Sequence, residues 1–127
     1  MSEPIRVAVC DDARAVKFFL RQVLEEDGDM RVVSTSSTGN EALDALDSSP
    51  ADILLLDLLL PDVPEPADLV RRIRERSPAT AILLMSNMPP PQLEKEAERL
   101  GTDGWTAKAH KPADLRRAVR DIISART

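Results

Sequence analysis

Short apolar runs alternate with amphipathic stretches along the whole chain. Five runs have strand character, rich in aliphatic and β-branched residues: Ile5 to Cys10, Arg31 to Thr35, Asp52 to Leu56, Ala81 to Met85, and Gly104 to Ala107. The third and fourth are almost wholly apolar, as expected of central strands buried on both faces of a parallel sheet. Between the runs, apolar residues recur at helical spacing. They are Val16, Leu20, Val23 and Leu24; Leu43 and Leu46; Leu69, Val70 and Ile73; Leu93, Ala97 and Leu100; and Leu115, Val119, Ile122 and Ile123. Each stripe is expected to face the sheet. Gly28, Gly39 and Gly101 fall at helix boundaries, and Pro112 opens the last helix where a missing N–H costs nothing. Five strand-helix units in alternation predict an α/β fold with helices on both faces of a parallel sheet. No linker or low-complexity tract interrupts them, so residues 1–127 read as a single domain.

Composition narrows the setting. A chain of 127 residues buries enough surface for one core without staples. Cys10 has no second cysteine to pair with, and no charged-then-apolar leader stands at the start, which predicts a reducing, cytoplasmic location. The longest apolar run, Ile53 to Leu60, is broken by Asp57 and is too short to span a bilayer, so no membrane role is expected. A formal net charge of -5 and a pI near 4.9 argue against direct nucleic-acid binding. The basic groups Arg71, Arg72, Arg74 and Arg76, and Arg116, Arg117 and Arg120, read as solvated helix faces.

In a doubly wound sheet, ligands collect beyond the carboxyl ends of the strands, and there the candidate chemistry lies. Asp11 and Asp12 follow the first strand, and Asp57 follows the third. Three carboxylates in one crevice destabilise each other unless a cation neutralises them. Mg²⁺ suits such a site, since it takes oxygen ligands, keeps several waters and pairs with carboxylates and phosphate. Alone, Asp11-Asp12 reads equally well as a turn or helix cap. Asp57 is harder to treat that way, because a charge ending an apolar core strand is costly to desolvate. Ser86 ends the fourth strand and Lys108 follows the fifth, bringing a hydroxyl and an ammonium to the same edge. A carboxylate nucleophile, an ammonium, a hydroxyl and a metal together suit phosphoryl transfer, where charge on the phosphoryl oxygens must be neutralised.

Asp11 and Asp12, Asp57, Ser86 and Lys108, each at a strand's carboxyl end and in this order, resemble the site of response-regulator receiver domains of two-component signalling, across nearly the whole chain. The resemblance implies a flavodoxin-like, five-stranded sheet of order 2-1-3-4-5 with five helices. It makes Asp57 the phosphoacceptor and gives Mg²⁺ to Asp12, Asp57, the Leu59 carbonyl and, through water, Asp11. It makes Ser86 and Lys108 the phosphate sensors. Trp105, in Gly104-Trp105, resembles the aromatic that reorients on activation, although a lone Trp in a strand also reads as core packing. Lys108, three residues after Trp105, fits the active lysine better than Lys111-Pro112, and His110 becomes a loop residue, not a phosphocarrier. The implied partners are a sensor histidine kinase or phosphotransfer protein and a downstream target or output domain, with phosphorylation-dependent homodimerisation expected. The chain would be a substrate that assists its own modification, not an enzyme with turnover.

Two rivals remain at this stage. One is a receiver-fold interaction module that acts without phosphorylation. The other is a haloacid-dehalogenase-like phosphatase, but that family wants a second Asp two residues after the nucleophile, where Leu59 stands. The chain also departs from the receiver pattern. After Asp57 the family's glycine-containing loop is replaced by Leu60-Pro61-Asp62-Val63-Pro64-Glu65-Pro66, a stiffer and seemingly longer connection that bears on the Leu59 carbonyl. Leu59 and Met88 make the mouth of the site apolar. Met88-Pro89-Pro90-Pro91 is expected to delay and shorten the fourth helix.

Overall fold

The computed structural model describes residues 3–108 and 111–126. Strands and helices alternate strictly: β1 Ile5–Cys10, α1 Arg14–Glu25, β2 Met30–Ser36, α2 Gly39–Ser48, β3 Ile53–Asp57, α3 Pro66–Arg76, β4 Ala81–Ser86, α4 Pro90–Leu100, β5 Gly104–Ala107 and α5 Pro112–Ala125. All strand pairs are parallel and the order is β2-β1-β3-β4-β5, so the doubly wound fold expected from the sequence is the one observed. β1 has β2 on one side and β3 on the other, which places the reversal of strand order at the carboxyl ends of β1 and β3.

The period of two in the central strands divides the core into two layers. Leu54, Leu56, Ile82 and Leu84 point to one face, where Leu43, Leu46, Leu69, Ile73 and Leu93 of α2, α3 and α4 cover them. Ile53, Leu55, Leu83 and Met85 point to the other, against Leu20, Val23 and Leu24 of α1 and Leu115 and Val119 of α5. Burying one such side chain stabilises the fold by roughly 1.5–3 kcal/mol. Against that background, the carboxylate of Asp57 at the tip of β3 opposes folding and calls for local compensation.

β2 is longer by a residue at each end than the sequence reading and β4 runs on to Ser86; two further differences matter more. β3 runs one residue later, so Asp57 is its last member and pairs with Met85 instead of following the strand. α4 is not delayed by its prolines: Pro90 and Pro91 form its first turn, where no N–H is needed, and Pro89 in extended conformation precedes it. Gly101 closes the same helix at φ 70°, a left-handed cap open to glycine without strain.

Candidate functional site

The carboxyl ends of β1, β3, β4 and β5 converge on one cleft, lined by Asp12, Asp57, Leu59, Ser86, Asn87, Met88, Pro89, Gln92 and Lys108. Each polar side chain is fixed by the backbone that leaves its strand. Asp11 continues β1 through an N–H bond to the Ser36 carbonyl at 3.0 Å, and its Oδ1 accepts the Ala13 N–H at 2.8 Å, opening the turn into α1. Asp11 is fully buried, at 0% exposure, whereas Asp12 beside it is exposed. Asp57 is 5% exposed, and its Oδ1 accepts the Leu59 N–H at 3.2 Å. Lys108 is set by its own N–H, which donates to the Ser86 carbonyl at 2.9 Å. Ser86 Oγ accepts the Met88 N–H at 3.0 Å, leaving the hydroxyl proton to offer into the cleft.

The electrostatics centre on the Lys108 ammonium, whose Nζ lies 2.8 Å from Asp11 Oδ2 and 3.2 Å from Asp57 Oδ2. Burial pushes the Asp57 carboxyl above its ordinary value, assisted by the charge of Asp11 and opposed by the Leu59 N–H and by Lys108. Burial works against the Lys108 ammonium, but the Asp11 hydrogen bond and the Asp57 charge outweigh it and raise its pKa. Burial also pushes the neighbouring Cys10 thiol up to about 12, with the negative charge of Asp57 acting the same way. Cys10 is fully buried and donates to the Thr38 carbonyl at 3.4 Å, so it is a structural thiol.

Asp11, Asp12 and Asp57 each place a carboxylate oxygen within 4.8 Å of the others. The ammonium balances only part of that charge. Asp11 Oδ2 is buried, with the Lys108 ammonium 2.8 Å away as its partner. A cluster that stays net negative beside one ammonium, with oxygen as every donor, fits a small hard dication.

Of the residues singled out in the sequence, the structure therefore brings Asp11, Asp12, Asp57, Ser86 and Lys108 together. Leu59 stands at the mouth and is 76% exposed. Trp105 does not line the cleft; it is partly buried against the α2–α4 layer of the core. Lys111 precedes α5 as an exposed residue, and His110 lies outside the described residues. Sequence reasoning missed Asn87 and Gln92 as lining residues, and it missed Asp62, which joins α2 to the β3–α3 loop. It also passed over Phe18 and Phe19, whose only signal is that they fall outside the apolar stripe of α1.

Residues 7–120 match the model of the response regulator receiver domain family, and the chain belongs to that family. A curated relative, the nitrate/nitrite response regulator protein NarL of Escherichia coli, is 26% identical over 122 residues, which cover 96% of this chain and 56% of NarL. The chain thus spans little more than half the length of that relative. Among solved structures, a LuxR-family two-component response regulator from Aurantimonas superposes with a TM-score of 0.86 at 26% identity, covering 97% of this chain and 87% of that one. A chain in the complex of the P1 domain of CheA3 with CheY6 from R. sphaeroides gives a TM-score of 0.85 at 26% identity, covering 97% and 99%.

Proposed function

We propose that this receiver is a phosphorylation switch in which Asp57 accepts a phosphoryl group from the phosphohistidine of a sensor histidine kinase or phosphotransfer protein. The observation that carries the reading is a buried carboxylate at a strand tip, 3.2 Å from a fixed ammonium and clustered with two further carboxylates. An Asp57 oxygen attacks phosphorus, the new O–P bond forms as the donor's N–P bond breaks, and the histidine nitrogen keeps the electron pair. The Lys108 ammonium and the Ser86 hydroxyl then hold the incoming oxygens. Asp12, Asp57 and the Leu59 carbonyl, with Asp11 through water, would hold Mg²⁺, which would supply charge neutralisation for the phosphoryl oxygens. The chain is a substrate that assists its own modification and has no turnover on other molecules.

The added charge draws Ser86 and Lys108 inward and changes the face formed by α4 and β5, where Trp105 lies. A downstream protein, an output domain or a second copy of the chain reads that face. For the donor, α1 starts beside Asp12 and presents Phe18 and Phe19 at 65% and 49% exposure, with Arg14, Lys17 and Arg21 alongside. An apolar helix face with a cationic rim suits an acidic partner.

Mass spectrometry after incubation with acetyl phosphate and Mg²⁺ tests the reading. The intact chain should gain the mass of one phosphoryl group and Asp57→Ala should gain none. No gain in the intact chain, with unchanged Trp105 fluorescence, would instead mark an interaction module that works without phosphorylation.

A further inference from the structure

The start of α2 is not capped by its own neighbourhood alone. A helix leaves its first four N–H groups without partners inside the helix. Here the Thr38 hydroxyl serves one of them, accepting from Glu41 at 3.1 Å, while its carbonyl takes the first regular helical bond, from Ala42, at 3.0 Å. Two more belong to Gly39 and Asn40, and both donate to the carboxylate of Asp62, at 2.9 and 3.1 Å. Asp62 lies in the β3–α3 loop, the stretch in which this chain departs from its family's pattern.

That loop also rests on α2 by shape. Val63 closes a turn onto the Leu60 carbonyl at 3.2 Å and sits over Gly39, where a Cβ would come 2.7 Å from Val63 Cγ2. Pro61 and Pro64 flank the anchor and fix their own φ angles, so displacement at Asp62 is passed along the loop instead of being absorbed. Three residues upstream is Leu59, whose N–H is already held by Asp57. A second tie reaches the other half of the cluster: Cys10, which precedes Asp11, donates to the carbonyl of Thr38. Both sides of the acidic cluster are thus referred to the first turn of α2. Burial would raise the Asp62 carboxyl, but the Gly39 and Asn40 N–H groups outweigh it and hold the pKa below the usual range, consistent with an ionised acceptor.

We infer that Asp62 is a positioning residue for the acceptor site: by gripping the start of α2 it fixes the loop bearing Leu59, and so sets the affinity of the cluster for Mg²⁺. This rests on the metal-assisted reading above.

The test is calorimetric titration with Mg²⁺ of the full chain, Asp62→Ala, Asp62→Asn and Thr38→Ala, with a metal-free thermal melt of each. Thr38→Ala removes a cap from the same helix without touching the loop, and Asp62→Asn keeps one acceptor should Asp62→Ala fail to fold. Asp62→Ala should weaken Mg²⁺ binding roughly tenfold, in the range of lost outer contacts to metal ligands. Asp62→Asn should fall between, and Thr38→Ala should lower the melting point while leaving the affinity unchanged. Equal affinity in the wild type and both Asp62 variants would overturn the inference, as would an equal loss in Thr38→Ala. If the wild type itself binds no Mg²⁺, the reading of the site fails first and the role of Asp62 falls with it.

Discussion

Asp12→Asn removes one of three clustered charges without changing side-chain shape, and its effect should reverse with metal. A carboxylate oxygen of Asp12 lies within 4.8 Å of one from each of Asp11 and Asp57. Because Asp12 is exposed, water screens it, and at a dielectric of about 80 each like-charge pair at that distance costs about 0.9 kcal/mol. Two pairs come to at most about 2 kcal/mol, and the Lys108 ammonium that pairs with Asp11 and Asp57 offsets part of this, so the net repulsion is on the order of 1 kcal/mol. Without metal, the variant should be more stable by that amount, which for a domain of this size raises Tm by about 3–5 °C. With Mg²⁺ at ten times its dissociation constant, the wild type gains about 1.4 kcal/mol and the variant should gain little. The ranking of the two proteins should therefore invert or close between metal-free and magnesium buffers. Thermal melts followed by circular dichroism measure it. A variant that melts below the wild type without metal refutes the repulsion argument, and one that keeps the full magnesium increment shows that Asp12 is not a ligand.

Replacing Phe18 and Phe19 together by Ser should slow labelling by a histidine-phosphotransfer domain that phosphorylates the wild type, by about tenfold, a loss comparable to one truncated anchor. Labelling by acetyl phosphate should be unchanged, and an equal loss with both donors would refute a docking role. Leu59→Asn should speed loss of the phosphoryl group several-fold in a label-decay assay, since a polar group at the mouth orients water where the exposed leucine does not; an unchanged rate counts against that view. The Asp52 carboxyl is raised by burial, but the Arg6 side-chain and backbone bonds outweigh this and leave it below its ordinary value. A depressed folded pKa contributes stability that is fully present above the unfolded value of about 4 and is lost as pH falls through the folded value. The gap in Tm between wild type and Asp52→Asn at neutral pH should accordingly close in acid, and a constant gap would refute the assignment.

The strand tips were legible because the apolar runs end abruptly in Asp57, Ser86 and the stretch before Lys108, and the period of two forces those ends to one edge. The paired aspartates after β1 were legible for the same reason. The one-residue shift of β3 was not, because an aspartate ending a strand and one following it give the same pattern. The prolines of α4 misled, since the sequence shows three obstacles while a helix start has room for them. Asp62 was invisible as a partner of Gly39 and Asn40, because nothing local links positions so far apart and only the packed fold sets that distance. The bridge from Lys108 to Asp11 was hidden likewise. Its residue type placed it near phosphate, but the sequence does not say which oxygen it meets in the resting state.

Cys10 is the single cysteine of the chain and is wholly enclosed. Thiol-directed dyes or spin labels should therefore pass over the native protein and react only with a cysteine engineered on its surface. Pairs of such labels on α1 and α4 would serve as rulers across the mouth of the cleft, reading motion there without first having to delete the natural residue.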